Sequence, residues 1–405
     1  MLFNDTTKDL LGSLSSFDYI NLQKSYYFDS ACQTLRPKDV IEAEQDYYRK
    51  YNACGHRVKY EWGKKVDEKI EETRSLLLRL VGKKSGQYSV AFTLNTTVGI
   101  CTVLHQLDIN AYSKIVTSEI EHNSIFLNTI TWAKKNNKQR IVCSRHSDGS
   151  LIYEKEDLKN AIVLINVMSN IDGRELQNIE ALCKDVHDSG GILLLDCAQT
   201  FGHEVSVLKK VEFDAAFGSG HKMYAQSVGF IIIKNKLITE LDFYLLGGGT
   251  VEDVWSETYD LVSDESELYS RLEPGLQNFA GIIGLGEAVK WKERFEYNTM
   301  NAEQYRTSLS NYMYEKLKKI NNLKIVNTHQ SSVFSVWSEK HDSHQLGAFL
   351  GNKQVMCRTG YFCCHYYLKN VKKYPPLLRI SLGLNNTTDQ IDYLVENLSF
   401  IINNF

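Results

Sequence analysis

The sequence predicts an α/β fold in which helices cover both faces of a largely parallel β-sheet. Two observations support this prediction. Seven short apolar runs rich in β-branched residues lie between residues 87 and 234, and amphipathic segments of helical length separate several of them. Strands that are apolar throughout are expected where both faces of a sheet are covered. The length of 405 residues also allows two or three domains, so we expect a second domain beside this one.

Each predicted strand is a run of five to eight residues, too short to be a typical helix. Of the helices between them, the segment 179–189 ends at a Gly-Gly pair, a common helix C-terminal signal, and 124–135 is the other clear pattern. The seven predicted strands are 87–94, 114–118, 140–144, 161–167, 191–196, 214–219 and 229–234.

The pattern changes after residue 247. A Gly-Gly-Gly run and an acidic, Ser-rich stretch to residue 270 predict a long functional loop or a domain boundary. Later segments mix helical and strand patterns, which predicts a smaller α+β domain. The helical segments are 280–295, 302–320, 343–350 and a C-terminal helix with an apolar stripe, and the strands are 323–327, 331–338 and 377–384. We predict three parts: an N-terminal segment, 1–25, that packs on the small domain, a large domain, 26–270, and the small domain, 271–405.

Composition excludes several classes of protein. The chain has 46 Lys and Arg against 49 Asp and Glu, and this balance argues against a dedicated nucleic-acid or membrane-surface binder. Nine cysteines are scattered without a C-x-x-C pair, so neither a zinc ribbon nor a redox dithiol is expected, and no metal site is predicted. The start of the sequence lacks a secretory signal and no apolar run is long enough for a membrane span, so we expect a cytoplasmic protein.

Polar residues follow five of the predicted strands at their carboxyl ends. A single Asp or His in such a place is often only a helix cap, and a single Lys is often a solvated loop residue. Because the carboxyl ends of parallel strands meet at one edge of the sheet, five such clusters predict a ligand-binding site there. The clusters are Asn95-Thr96-Thr97, Glu121-His122-Asn123, Ser169-Asn170, Asp196 with Gln199, and Ser219-Gly220-His221-Lys222.

Two of these clusters carry a resemblance to a known family. Asp196-x-x-Gln199 followed by Ser219-Gly220-His221-Lys222 resembles the signature of pyridoxal-phosphate enzymes of fold type I. Within this group the chain is similar to the class V aminotransferase family, in the branch that contains cysteine desulfurases and selenocysteine lyases. The resemblance implies a large domain with a mostly parallel seven-stranded sheet. Other segments that follow in family order are 26–43, 51–57, 93–100, 119–125, 167–174, 271–286, 358–363 and 379–387.

The resemblance implies pyridoxal 5'-phosphate as cofactor. Lys222 matches the lysine whose amine joins the cofactor's aldehyde, and Asp196 matches the carboxylate that keeps the pyridine nitrogen protonated. A charge-assisted hydrogen bond is the expected way to hold that proton. Phosphate is expected to bind hydroxyl groups and a helix N-terminus. The other implied cofactor-binding residues are His122 on the ring face, Asn170 and Gln199 at the phenolic oxygen, and Thr96, Thr97, Ser219 and His221 at the phosphate.

Substrate binding and sulfur chemistry are implied in the same way. Arg379 matches the residue that binds the substrate carboxylate, a role suited to a bidentate guanidinium, and Arg358 and His56 are further implied substrate contacts. Cys363 matches the sulfur-accepting cysteine of the desulfurases. The implied reaction converts L-cysteine or selenocysteine to L-alanine and leaves the sulfur on Cys363 as a persulfide. The neighbouring Cys364 could be the acceptor instead.

Departures from the family pattern leave alternatives open. Tyr361-Phe362 stands where the family has two histidines before the acceptor cysteine, Gly275-Leu276-Gln277 stands for Gly-Thr-Pro, and Tyr224-Ala225-Gln226-Ser227 replaces a Tyr-Gly-Pro motif. One alternative is a class V aminotransferase, or another lyase or epimerase, in which Cys363 is not catalytic. Another is a binding or scaffold subunit. The resemblance further implies a homodimer with active sites near the subunit interface, a small amino-acid substrate and a sulfur-acceptor protein.

Overall fold

The structure, a computed structural model, describes residues 12–21, 23–56 and 58–404. They form two compact units. The large unit comprises Glu42–Met168 and Glu175–Val289, and the small unit comprises the described residues up to Ile41 together with Ser169–Arg174 and Lys290 onward. The three-part division at residues 25 and 270 remains a prediction. Residues 1–11 and 22 of its N-terminal segment lie outside the described residues.

The large unit contains the predicted seven-stranded sheet. Its order is β1-β7-β6-β5-β4-β2-β3. Strand β7 runs antiparallel to both of its neighbours, and the other four pairs are parallel. The predicted mostly parallel sheet is therefore confirmed. Its strands are β1 (Tyr88–Thr93), β2 (Lys114–Ser118), β3 (Gln139–Cys143), β4 (Ala161–Asn166), β5 (Ile192–Asp196), β6 (Ala215–Ser219) and β7 (Gly229–Lys234).

Burial explains why the central strands are apolar throughout. Every residue of β4 and of β6 is buried, so neither strand presents a face to water. Trp132, Phe217 and Ile231 belong to the core cluster of this unit and are fully buried. The α-helices of the large unit are Glu61–Leu80, Thr96–Leu104, Asn123–Asn136, Lys155–Leu158, Ile179–Asp188, Ser206–Lys210 and Asn235–Thr239, and 3-10 turns span Thr200–Gly202, Gly220–Lys222 and Leu268–Leu272.

The stretch 247–270, expected to be a long loop or a domain boundary, lies within the large unit. It contains a short antiparallel hairpin formed by Val251–Val254 and Tyr259–Leu261. The chain passes from one unit to the other within the helix Lys38–Lys50 and again within the helix Phe279–Arg294. It also does so on either side of Ser169–Arg174. The pattern around the triple glycine therefore does not coincide with the point where the large unit ends.

The small unit is built on a four-stranded antiparallel sheet of order β8-β9-β11-β10. Its strands are β8 (Leu323–Ile325), β9 (Val333–Ser338), β10 (Arg358–Gly360) and β11 (Leu377–Ser381). Its remaining elements are the helices Asp18–Asn21, Ala302–Leu317, Ser343–Asn352 and Thr388–Asn404, the 3-10 turn Gly12–Phe17, the π-helical segment Tyr366–Val371, and the two-residue strands Tyr26–Tyr27, Glu296–Tyr297, Met300–Asn301 and Val355–Met356.

The turn Gly12–Phe17 contacts the beginning of the last stretch of the small unit, which starts at Lys290. Phe17 packs edge-on against Trp291 with ring centroids 5.4 Å apart, and the Glu296 N–H donates to Ser13 Oγ at 3.0 Å. The N-terminal residues of the small unit thus contact the beginning of its last stretch, which starts at Lys290, through both apolar and polar groups. Among the described residues, no helix has the length and apolar character that a membrane crossing requires.

Candidate active site

Six of the seven strands of the large sheet end at the same edge because β7 alone runs in the opposite direction. Asp196 is the last residue of β5 and Ser219 is the last residue of β6. In the neighbouring strand β4, Asn166 is the register partner of Asp196. The sequence clusters that belong to the large unit therefore lie at one edge of the sheet.

Asp196 lies buried at this edge. Its Oδ1 accepts the Ala198 N–H at 2.9 Å, and its Oδ2 accepts the Ser124 hydroxyl at 3.3 Å. Burial raises the pKa of the Asp196 carboxyl, while the Ala198 N–H and the charge of Lys222 oppose this rise. A buried carboxyl whose pKa is raised in this way gains stability from a cationic N–H partner.

His122 begins the helix that follows β2. Its Nδ1 accepts the Ser124 N–H at 3.1 Å, so the imidazole caps the helix Asn123–Asn136. Ser124 Oγ lies 2.8 Å from the same nitrogen and also donates to Asp196. Ser124 therefore bridges two of the predicted residues, although it was not itself predicted as a site residue. Its position two residues after His122, in the first turn of the same helix, could have indicated a place in the site.

Lys222 ends the 3-10 turn Gly220–Lys222 that directly follows β6. Ser219, the residue before this turn, has its Oγ 2.6 Å from His221 Nδ1, so these two predicted phosphate ligands contact each other. The backbone of Lys222 is held closely by Gly202, because a Cβ on that glycine would collide with the Lys222 carbonyl oxygen. The turn that carries the lysine is thereby fixed against the segment that follows Asp196.

The helix Thr96–Leu104 places the two predicted threonines in different environments. Asn95 caps this helix through a 3.0 Å bond from the Val98 N–H to Asn95 Oδ1. Thr96 is buried and its Oγ1 has no hydrogen-bond partner among the described residues, whereas Thr97 is exposed. Thr200 follows the buried Gln199, and its hydroxyl is likewise buried without a hydrogen-bond partner among the described residues. A buried hydroxyl without a partner is costly, so these two atoms are candidates for ligand contacts.

The residues of the large unit fit pyridoxal phosphate. The unsatisfied hydroxyl of Thr96, at the start of a nine-residue helix, suits a phosphate oxygen. The buried carboxyl of Asp196 suits a protonated pyridine nitrogen, and Lys222 offers a primary amine. The donor set therefore matches the chemical groups of the cofactor that the resemblance implied.

In the small unit, Arg379 lies on β11 and is almost completely buried. Its Nη2 donates to Asp29 Oδ1 at 3.1 Å and its Nη1 donates to the Asn170 carbonyl oxygen at 3.1 Å. Asp29 also accepts a 2.9 Å bond from Arg358 Nε. The two predicted substrate-binding arginines are thus joined through Asp29, a residue that was not predicted from the sequence. Arg379 Nε is buried and has no partner among the described residues.

Asn170 binds the turn that precedes the predicted acceptor cysteine and the residue that follows it. Its Nδ2 donates to the Phe362 carbonyl oxygen at 2.8 Å, and its Oδ1 accepts from Cys364 Sγ at 3.1 Å. The Phe362 ring lies 4.8 Å from the Arg379 guanidinium carbon. Both polar atoms of the Asn170 side chain are therefore used within the small unit. Its predicted bond to the cofactor's phenolic oxygen remains a prediction.

Cys363 and Cys364 are adjacent but have opposite environments. Cys363 is exposed, whereas Cys364 is buried. Phe362 and Cys363 have φ angles of 46° and 58°, a left-handed conformation that non-glycine residues seldom adopt. The Cys364 N–H donates to the Tyr361 carbonyl oxygen at 2.8 Å and closes this turn. The turn thus presents one thiol to solvent and retains the other inside.

His56 lies elsewhere in the large unit. It lines a cavity of about 360 Å³ together with Cys54, Leu276 and Gln277. Its backbone N–H donates to Asp67 Oδ1 at 2.7 Å. The cavity brings His56 together with the Gly275-Leu276-Gln277 segment in which the sequence departs from the family.

Glu121 belongs to one of the predicted polar clusters, but no role was predicted for it. It is fully buried, its Oε1 accepts from Arg145 Nη2 at 3.2 Å, and its Oε2 accepts the Asn166 N–H at 2.8 Å. Burial raises the pKa of Glu121 to about 7, although the charge of Arg145 opposes this rise. Glu121 joins the loop after β2 to the end of β4, immediately before His122.

Comparison with known proteins places this geometry in a family. The family model for class-V aminotransferases matches residues 26–394. A probable cysteine desulfurase of Borreliella burgdorferi is 29% identical over 391 residues, which cover 93% of this chain and 91% of the relative. The apo structure of a cysteine desulfurase from Thermococcus onnurineus NA1 is similar with a TM-score of 0.87 and 26% identity, covering 100% of this chain and 99% of that one.

The fold and the edge cluster are thus those of a fold type I pyridoxal-phosphate protein. The chain belongs to the class-V aminotransferase family. The predicted fold class and the predicted family are both confirmed.

Proposed function

We propose that the protein is a pyridoxal-phosphate-dependent cysteine desulfurase that converts L-cysteine, or selenocysteine, to L-alanine. The observation that carries this proposal is the exposed Cys363 on its left-handed turn, beside the buried Arg379 that contacts the same segment. The similarity to proteins named cysteine desulfurases, over nearly the whole chain, supports it.

In this proposal the large unit binds the cofactor and moves a proton. Lys222 would provide the amine that holds the aldehyde group of pyridoxal phosphate, and the Asp196 carboxylate would hold the proton of the ring nitrogen. His122 would pack on the ring and Gln199 would donate to the phenolic oxygen. The phosphate would be bound by Thr96, Thr97, Ser219 and His221. When bound, the cofactor supplies an electron sink for the electrons of the substrate's Cα–H bond, whose proton Lys222 removes.

The small unit binds the substrate carboxylate and accepts the sulfur. Arg379 binds the carboxylate, and Arg358 of the small unit and His56 of the large unit are additional substrate contacts. The Cys363 thiolate attacks the substrate Sγ, so a sulfur–sulfur bond forms while the Cβ–Sγ bond breaks. The electron pair of the broken bond remains with carbon, which takes a proton to give alanine. Cys363 then carries the persulfide.

Product analysis with matched cysteine variants tests this function. The holoenzyme is incubated with L-cysteine without added reductant, alanine is quantified, and the mass of the protein is measured for one added sulfur atom. We expect alanine and a persulfide from the wild type and from Cys364→Ala, and neither from Lys222→Ala. Cys363→Ala should lose the persulfide. Absence of alanine from the wild type would exclude desulfurase activity, and a persulfide retained in Cys363→Ala would exclude Cys363 as acceptor.

A second candidate follows from Phe362, which stands where the family has a histidine. In this candidate the protein is a class V aminotransferase, or another lyase or epimerase, that acts on a different amino acid. The turn that carries Cys363 would then be a structural feature. A panel of amino acids separates the two candidates, because only the second predicts turnover that Cys363→Ala leaves unchanged.

We also propose that the protein is a cytoplasmic homodimer. The resemblance implies active sites near the subunit interface, and the cavity that His56, an implied substrate contact, lines together with Leu276 supports an interface on the large unit. Nine cysteines without a disulfide agree with a reducing compartment. Sedimentation equilibrium of wild type and Leu276→Glu tests the dimer: the variant should dissociate more readily, and a monomeric wild type would exclude the proposal.

A further inference from the structure

The exposed Cys363 is flanked by lysines and aromatic side chains. We call residues 361–374 of the small unit the acceptor-side surface. Its exposed residues include His365, Lys369, Lys372 and Lys373 in addition to Cys363. Nothing in the proposed reaction uses these lysines, because the substrate is a small amino acid.

The acceptor-side surface lies in a segment without a carboxylate. Residues 343–388 contain no Asp or Glu, although 49 such residues in 405 would place between five and six in a segment of this length. None of Lys369, Lys372 and Lys373 has a carboxylate within ion-pair distance in the described part of the chain. The net charge of the whole chain is −3, so this positive charge is a local feature.

Backbone hydrogen bonds hold the lysines close to Cys363. The Leu368 N–H donates to the Cys364 carbonyl oxygen at 3.1 Å, and the Tyr374 N–H donates to the Leu368 carbonyl oxygen at 2.9 Å. The π-helical segment Tyr366–Val371 therefore begins directly at the acceptor turn. It is a folded extension of that turn and not a separate loop.

Side-chain contacts connect one lysine to the residues beside Cys363. Lys369 Nζ lies 4.5 Å from the ring centroid of Tyr361, and the Tyr361 and His365 rings are 5.8 Å apart. Lys372 Nζ lies 5.4 Å from the ring centroid of Tyr367. Aromatic rings orient these ammonium groups without neutralising them. The charge thus remains available to a binding partner.

We propose that the acceptor-side surface binds the acidic face of a thiol-bearing protein, which takes the sulfur from Cys363. This inference rests on the proposed function, since it needs a persulfide on Cys363. A partner whose carboxylates match the three lysines would be steered toward Cys363 and held there. The exposed thiol at the edge of the patch favours a protein over a nucleic acid, because unmodified nucleotides have no thiol that could attack a persulfide.

The transfer of sulfur to the partner needs no external oxidant or reductant. A thiolate of the partner attacks the terminal sulfur of the Cys363 persulfide. A new sulfur–sulfur bond forms on the partner as the bond to Cys363 Sγ breaks. Cys363 leaves as a thiolate and the partner carries the persulfide.

Thiol–disulfide exchange tests the surface independently of desulfurase activity. The probes are two peptides, each with one cysteine flanked by four Glu or by four Lys, activated as mixed disulfides with 2-thiopyridine. Release of thiopyridone is followed with the pyridoxal-phosphate-loaded full chain, after subtracting the rate of Cys363→Ser. Intrinsic peptide reactivity is normalised with mercaptoethanol. The neutral reagent 2,2'-dithiodipyridine reports whether Cys363 itself remains accessible.

Two triple variants provide a matched comparison. Lys369→Glu/Lys372→Glu/Lys373→Glu reverses the charge of the surface, while Lys318→Glu/Lys319→Glu/Lys324→Glu makes the same change at exposed lysines elsewhere in the small unit. For the wild type we expect the acidic peptide to react about tenfold faster than the basic one at low salt. The ratio should fall toward one at high salt, since salt screens exposed charges. The first variant should reverse the preference, and the second should keep it.

Equal rates for the two peptides, or equal effects of the two triple variants, would overturn the proposal. Binding of a labelled oligonucleotide that only the first variant loses, without any preference for the acidic peptide, would overturn it in favour of nucleic acid. The exchange assay needs no turnover. A peptide preference without alanine production would therefore refute the desulfurase function while leaving the acidic-partner surface supported.

Discussion

Asp29 Oδ1 lies 3.1 Å from Arg379 Nη2, and the same carboxylate lies 2.9 Å from Arg358 Nε. The two arginines differ in environment: 3% of the Arg379 side chain is exposed, against 46% of that of Arg358. Burial lowers the pKa of Arg379, and the charge of Asp29 opposes this. The longer of the two ion pairs is therefore the one removed from water.

We expect Arg379→Gln to lower the free energy of unfolding by about 2–3 kcal/mol, because a buried pair loses one partner. Arg358→Gln should cost less than about 1 kcal/mol, since solvent screens this pair. Urea unfolding of both variants, with the transition slope checked for constancy, measures the two values. If Arg358→Gln proved the more damaging change, distance and not burial would govern this pair of contacts.

The buried hydroxyl of Thr96 and the exposed one of Thr97 lead to a prediction about cofactor affinity. Replacing either threonine by valine keeps the shape and removes the hydroxyl. Thr96→Val should weaken pyridoxal-phosphate binding about tenfold or more, because a buried charge-assisted bond is lost. Thr97→Val should weaken binding less, by about two- to threefold, because Thr97 is exposed and water can replace its bond to the phosphate. Titration of the apoprotein followed by absorbance gives both constants, and equal losses would show that burial does not set the strength of the two phosphate contacts.

The left-handed backbone at Cys363 predicts an unusual order of stability. Cys363→Gly should be more stable than Cys363→Ala by about 0.5–1 kcal/mol, since glycine adopts a positive φ without a steric cost. Cys54, also exposed but not at a positive φ, serves as the control, and there the alanine variant should be the more stable. Thermal unfolding of the four variants compares the two sites. An alanine advantage at both sites would mean that the turn is not strained.

His187 predicts a pH-dependent contribution to stability in the large unit. Its Nε2 lies 2.8 Å from Asp214 Oδ2 and its Nδ1 lies 3.8 Å from Cys183 Sγ. The bond to Asp214 raises the pKa of His187 to about 9, with a smaller contribution from Cys183. Because the folded-state pKa is above the unfolded value of roughly 6.5, the stabilisation is complete below that pH and is lost as pH rises through about 9.

His187→Gln should therefore cost about 1–2 kcal/mol at pH 6, after allowance for the partial exposure of the ring, and almost nothing above pH 9. Urea unfolding of wild type and variant across this range measures the difference. Asp214 keeps its bond to Lys234 in the variant, so the remaining ion pair is an internal reference. A difference that does not change with pH would indicate that His187 acts through packing alone.

The strand pattern and the edge clusters could be predicted from sequence because both depend on short-range order. All seven strands of the large sheet occur within one residue of the predicted ends, and Asp196 and Ser219 end β5 and β6 as expected. The SGHK motif could be recognised because its residues are consecutive.

Contacts between distant parts of the chain could not be predicted in the same way. Asp29 and Arg379 are 350 residues apart, and Asn170 and Cys364 are 194 residues apart. Nothing in a single sequence pairs these particular residues, so Asp29 was missed and Asn170 was assigned without its actual partners. The hairpin at 251–261 was missed because its strands are exposed and lack an apolar run.

The small unit is assembled from three stretches of the chain, and this has a consequence for modularity. A fragment that starts at residue 290 carries Arg379 but neither Asp29 nor Asn170, which supply its carboxylate and its carbonyl oxygen. Such a fragment would bury an uncompensated guanidinium. The unit therefore cannot be transferred to another protein as one contiguous cassette, and insertions or fusions are tolerable only where they leave all three stretches in the same polypeptide.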